Sequence, residues 1–155
     1  MLNRRQLIVA AFVLAGAPAT AHHGWSSFDQ DKPQYLAGTV KTVHWQNPHA
    51  ELVITAPAGL AVPADLASRK LPAQSQAIDG AAVARKATVP AQAAGEWELE
   101  LSPLSRLSAW GATEPKVGDR VEAIGYLLAS GGERVMRVEY LFANGKVYGL
   151  RSSPQ

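Results

Sequence analysis

Apolar and polar positions alternate along this chain in short runs, and the runs read as strands. Trp97, Leu99 and Leu101 are apolar while Glu96, Glu98 and Glu100 lie between them, the period-two pattern of a strand with one buried face. Residues 50–55 repeat it, with Ala50, Leu52 and Ile54 on one side and Glu51, Val53 and Thr55 on the other. Residues 35–45 (YLAGTVKTVHW) are rich in β-branched and aromatic types, and Gly38 marks a bend or bulge at a barrel corner. Residues 120–128 and 133–142 form a hairpin around Ala129-Ser130-Gly131-Gly132, and 146–150 adds a short strand after Asn144-Gly145.

Two stretches depart from the strand pattern. Around residues 102–111 the pattern predicts one short helix: Ser102 can cap it, Pro103 suits the first turn, Leu104 and Leu107 share a face, and Gly111 can end it. Three strands, a helix and two more strands is the order of a small Greek-key barrel. The expected fold is therefore all-β with one short helix, a five- to six-stranded barrel resembling the oligonucleotide/oligosaccharide-binding fold. The second departure is 56–95, dominated by alanine, broken by Pro57, Pro63, Pro72 and Pro90, and free of aromatic residues. Such a stretch is expected to bury little apolar area and to be a mobile insertion in a loop. Helical turns are allowed at 64–70 and 78–86, because alanine costs little in a helix.

The first residues read as a targeting segment. Met1 to Arg5 is basic, residues 7–14 are apolar, and Ala19-Thr20-Ala21 supplies small residues for a leader peptidase. Cleavage is expected after Ala21, with Ala19 as the alternative. The organisation is then a signal peptide at 1–21 and a single β-barrel domain at 22–155. The product is expected in the periplasm or outside the cell, with no membrane attachment after leader removal; Arg4-Arg5 leaves general secretion and twin-arginine export both open.

Removing the leader changes the charge. Of fifteen basic residues it takes Arg4 and Arg5, leaving thirteen against thirteen acidic ones, so nucleic-acid binding, which depends on neutralising phosphate, is not expected. The chain has no cysteine, which excludes a disulfide framework and thiolate metal sites.

Several short motifs carry a resemblance. His22-His23, Phe28-Asp29, Asp31-Lys32-Pro33, Gly38-Thr39-Val40, Trp45-Gln46-Asn47-Pro48-His49, Trp97-Glu98-Leu99-Glu100, Ser102-Pro103 and Val117-Gly118-Asp119-Arg120-Val121 resemble those of a bacterial family of small exported proteins of unknown function. The chain departs from that family at Trp110-Gly111, where the reverse order is expected. The resemblance implies export and a compact β-fold, and no activity.

Chemistry is concentrated in the histidines. All four, His22, His23, His44 and His49, fall in one short stretch. If cleavage follows Ala21, the free amine and imidazole of His22 form a chelate, and a second imidazole completes a nitrogen set suited to Cu(II). If it follows Ala19, Thr20-Ala21-His22 offers a square plane to Cu(II) or Ni(II). The second imidazole is expected from the hairpin across Gln46-Asn47-Pro48, where Val43 and Trp45 turn inward with Ala50 and Leu52, and His44 and His49 project from the other face. His49 is preferred, with His44 and His23 in reserve; Asp29, Asp31 or Glu51 could add an oxygen. The predicted function is binding of a transition metal, copper first, for buffering, delivery to a partner protein, or sensing. The alternative is a metal-free periplasmic module that binds a protein or small ligand. Hydrolase, zinc-protease and phosphate-loop signatures are all missing, Glu96, Glu98 and Glu100 look like one exposed strand face, and an enzyme is not the favoured class.

Overall fold

The structure, a computed structural model, describes residues 23–155. The expected signal peptide at 1–21 and His22 lie outside the described residues. Six strands form one sheet: β1 (Gln34–His44), β2 (Glu51–Ala56), β3 (Gly95–Glu100), β4 (Arg120–Leu127), β5 (Val135–Ala143) and β6 (Lys146–Gly149). Antiparallel neighbours run β3-β2-β1-β4-β5, and β3 closes the ring by pairing in parallel with the start of β5, Leu99 opposite Met136 and Glu100 opposite Arg137. The result is the expected closed five-stranded barrel, similar to the oligonucleotide/oligosaccharide-binding type, with β6 added along the far part of β5.

Alternation fills the barrel. Leu36, Val40, Leu52, Ile54, Leu99, Met136 and Leu141 all point into one buried cluster, each such side chain contributing about 1.5–3 kcal/mol on burial. Closure brings backbones close at two glycines. A Cβ on Gly38 would stand 2.4 Å from the Thr55 carbonyl oxygen, and one on Gly125 would stand 2.3 Å from that of Arg137. Gly38 thus serves close approach rather than the bulge expected of it. The register shifts lie elsewhere, between Val40 and Thr42 on β1 and beside Gly125 on β4, where Glu139 is the extra residue of β5.

The alanine-rich stretch departs from expectation. It does bury apolar area: Leu66, Ala84 and Ala87 pack with Tyr35, Ala37, Ile124 and Tyr140 in a second cluster on the outside of the barrel. The reason is that β1, β4 and β5 are apolar on both faces and need a cover. Short elements supply it, a 3-10 turn at Leu66–Ser68 and helix α1 (Gly80–Lys86), whose N-terminus is capped by Asp79 accepting from the Ala82 amide. Helix α2 (Leu104–Ala109) follows β3 as expected. Its cap is not Ser102, which is fully buried and donates its hydroxyl proton to the Leu150 carbonyl. Asn47 caps it instead, its side-chain oxygen accepting from the Leu104 amide at 3.1 Å. Among the described residues no helix is long and apolar enough to cross a membrane.

Candidate functional site

Three segments meet on the outer face of β2, β3 and β5. The first is the β1–β2 turn, where Asn47-Pro48 is a cis peptide and Asn47 is tied to α2. His49 follows directly and is buried, because Ala50 must enter the core and the alternation then sends His49 to the outer side, under the N-terminal arm. Its Nε2 lies 3.7 Å from Glu51 Oε1 and 3.8 Å from Glu100 Oε2.

The arm itself is the second segment. A 3-10 turn at Trp25–Ser27 is stitched to the barrel by the Asp29 amide donating to Leu127 and the Ala129 amide donating to Ser27, and Phe28 is buried against Tyr126, Leu128 and Val135. The Trp25 ring carries the Arg151 guanidinium at 4.0 Å and that of Arg137 at 5.0 Å, with Tyr126 edge-on. Trp25 and Phe28 are anchors of the arm. They deliver His23, whose ring sits edge-on to Phe28 and whose Nε2 is 3.8 Å from Glu133.

The third segment is the pair of strands β3 and β5. Glu100 is 3 % exposed and accepts one hydrogen bond, 3.2 Å from Arg137 Nη1, while Arg137 Nε finds no acceptor among the described residues. Glu100 therefore does not belong to an exposed strand face, and Glu98 is half-buried; only Glu96 is fully outside, paired with Lys41. Burial raises the Glu100 carboxyl above the usual carboxylate range, with Glu51 adding to it and Arg137 and His23 opposing. Burial also raises Glu98, helped by Glu51, Glu100 and Glu133. Arg137 is pushed down by burial, against the pull of Glu100.

Together these segments shape a cleft of about 290 Å³ lined by His23, Gly24, Pro48, His49, Pro103 and Arg137. Two of the three described histidines, His23 and His49, thus share one cleft. His44 does not line it: it is exposed at the end of β1, opposite Glu51 rather than His49. Asp29 pairs with Lys32, and Asp31 lines a different cavity beside α1, so of the three proposed oxygen donors only Glu51 is near His49. Among the described residues no group of three histidines, aspartates or glutamates is arranged to hold a metal ion by itself. The arrangement brings the two imidazoles of the cleft near several carboxylates, Glu133 beside His23 and Glu51 and Glu100 beside His49.

The sequence had marked His23, His49 and Glu51 but not Glu100, Arg137 or the stacking of Trp25. A signal exists for Arg137. In Val135 to Phe142 (VMRVEYLF) two charges stand inside a run apolar on both faces, which requires each to find a buried partner. Two other indoles are structural: Trp97 donates to the Ala93 carbonyl and Trp110 to that of Ser152.

Fold and cleft define the class, a small closed β-barrel with a cleft on its outer face lined by two histidines and an arginine. Residues 11–61 match the model of a family of unknown function, DUF6152. That span takes in His22-His23, the arm, β1, Asn47-Pro48-His49 and β2. No curated protein and no solved structure matches the chain.

Proposed function

We propose that the protein is exported and binds a divalent transition metal, Cu(II) above all, at the cleft between the N-terminal arm and the β1–β2 turn. The amine and imidazole of His22, freed by cleavage after Ala21, supply two donors. His49 supplies a third, with His23, Glu51 and Glu100 within reach and His44 outside. The observation that carries this is the shared cleft of His23 and His49, since His22 is one peptide bond from His23. Trp25 and Phe28 support it by pinning the arm two and five residues beyond His23. A free N-terminal histidine, a fixed second imidazole and a nitrogen-rich set suit the tetragonal preference of Cu(II). The role that follows is metal buffering, delivery or sensing in the periplasm.

Intact-mass measurement of the exported protein fixes its first residue, and Cu(II) titration of that species tests binding. The expected result is a start at His22, one equivalent of copper bound, and a loss of affinity of at least about a hundredfold in His49→Ala, the upper end of what losing even an outer-shell partner of a ligand costs. If the protein starts at His22 and His49→Ala binds copper equally well, the metal proposal fails. What then remains is the metal-free interaction or small-ligand module.

A further inference from the structure

We propose that a second site, independent of the histidine cleft, binds a small organic anion: an acid group, phosphate ester or carboxylate, carried on an apolar body. The site is a groove of about 520 Å³ at the seam between the 56–95 segment and the barrel, within the size range of small-molecule sites. One wall comes from Asp65, Arg69 and Lys70; the other comes from the start of β4 and from the β5–β6 hairpin.

Four cations line it, Arg69, Lys70, Arg120 and Lys146, against two acids, Asp65 and Glu122. Both acids are committed to the same cation. Asp65 takes two hydrogen bonds from Arg69, at 2.9 and 3.2 Å, and Glu122 takes another from its Nη1. Arg69 also lies over the Phe142 ring at 5.1 Å. It is a fixed part of the wall and is already neutralised, and the pairing holds the Asp65 carboxyl below the usual carboxylate range.

That leaves three cations with little to answer them. Lys70 and Lys146 have no ion-pair partner among the described residues, and Arg120 reaches Glu122 only at 4.0 Å. In a chain whose formal charges balance after residue 21, four cations against two acids leave a net excess of two positive charges around one groove, and a concave, partly apolar wall concentrates that potential. The floor is apolar, formed by Phe142, Ala143 and Val147, so the groove suits an anion with a hydrophobic body better than a bare ion. The hairpin that carries Lys146 turns through Asn144 and Gly145, both at positive φ, and Asn144 is held by its side chain to Thr113. Lys146 is therefore presented from a braced turn.

The test is titration of the purified protein with phenyl phosphate, followed by amide chemical shifts, with inorganic phosphate and benzyl alcohol as the two half-probes. The expected result is saturable shifts confined to residues 69–70, 120–122 and 142–147, with inorganic phosphate and benzyl alcohol each at least tenfold weaker. Lys70→Glu combined with Lys146→Glu weakens phenyl phosphate at least tenfold. A charge-matched control away from the groove, Lys86→Glu with Lys116→Glu, weakens it less than twofold, and both double variants are checked for an unchanged melting profile. The proposal is overturned if no groove resonance moves, or if the two double variants bind alike. It is overturned equally if inorganic phosphate binds as well as phenyl phosphate, which would mean an adventitious ion only. A heparin oligosaccharide that binds where phenyl phosphate does not would replace the small ligand by a polyanion and also overturn it.

Discussion

Glu139 and Glu100 are both buried glutamates that reach an arginine, and the protein treats them in opposite ways. Glu139 is fully enclosed and has every acceptor answered: Arg151 Nε donates to Oε2 at 2.7 Å with Nη2 at 2.6 Å, and Gln74 donates to Oε1 at 2.9 Å. Gln74 in turn accepts from the Ser152 amide, and Arg151 also donates to Gln30. Glu100 receives one hydrogen bond from an arginine whose own Nε is unanswered, and it stands among Glu51, Glu98 and His49. A carboxylate surrounded by donors is structure, with nothing left to offer. A buried carboxylate held at one oxygen, beside a histidine and other acids, keeps acceptor capacity that its surroundings do not satisfy.

The contrast is sharpest under neutral substitution. Glu139→Gln leaves the Arg151 charge buried with no counterion, and the expected loss in urea denaturation is ~3 kcal/mol, the scale of a broken buried pair. Glu100→Gln also takes the carboxylate from Arg137, but it keeps an acceptor for the single hydrogen bond and relieves repulsion from Glu51, which offsets part of the cost, so its loss is expected below ~1 kcal/mol. Equal losses would erase the distinction drawn between the two sites.

Next in size is the layer that brings Gln74 to Glu139. Leu66 is fully buried under the barrel's outer face, and Leu66→Ala is expected to cost ~2.5 kcal/mol, as a cavity in a packed core does. In native-state hydrogen exchange the Tyr35 amide, which donates to the Thr88 carbonyl at 2.8 Å, should lose protection in the same variant. If Leu66→Ala is silent, the 56–95 segment is a loose cover, and the closed network around Glu139 stands without it.

How far the sequence reveals all this depends on which residues carry the signal. Alternation in Trp97-Glu98-Leu99 and the turn residues Gly131-Gly132 and Asn144-Gly145 show the strands and hairpins within a residue or two, because side-chain period and positive φ are local properties. The second layer is not visible in 56–95, whose alanines look too small to form a core. It is visible in its partner: Tyr35-Leu36-Ala37 and Ala123-Ile124-Gly125-Tyr126 are apolar on both faces, so both faces must be covered. Of the cleft, His23, His49 and Glu51 follow from motif and alternation. Glu100 looks like its exposed neighbour Glu96, because only the parallel pairing of β3 with β5, set by residues far apart in the chain, places Arg137 beside it.

Trp25 links the two sites and permits a finer comparison, since it stacks on Arg151 of the closed network and on Arg137 of the open one. Trp25→Leu keeps an apolar plug and removes the cation–π contacts, at an expected cost of ~1 kcal/mol. A double-mutant cycle should give a larger coupling to Arg151, at 4.0 Å, than to Arg137, at 5.0 Å. Coupling to neither would show that Phe28 and the backbone hydrogen bonds to Leu127 and Ala129 hold the arm without help from the Trp25 stacking. If the copper proposal holds, Trp25→Leu also weakens Cu(II) binding by loosening the arm.

The smallest expected effect is a gain, and its sign depends on pH. Glu98 has a raised carboxyl, from burial first and then from Glu51, Glu100 and Glu133, with His23 opposing. A carboxyl whose pKa is higher folded than unfolded binds more protons in the native state, so its ionisation lowers stability as pH rises through the window between the two values. The penalty is complete above the folded value and absent below the unfolded one. Glu98→Gln should therefore stabilise the metal-free protein at neutral pH by ~0.5 kcal/mol, the size of a like-charge contact relieved on a sheet face. The gain should shrink as pH falls toward the ordinary glutamate range and vanish below it. The same substitution at Glu96, which is exposed and paired with Lys41, should give no gain at any pH. Melting curves in a chelating buffer across that window separate the two, and a pH-independent gain at Glu98 would mean that packing, not charge, is what the crowded carboxylates leave unsatisfied.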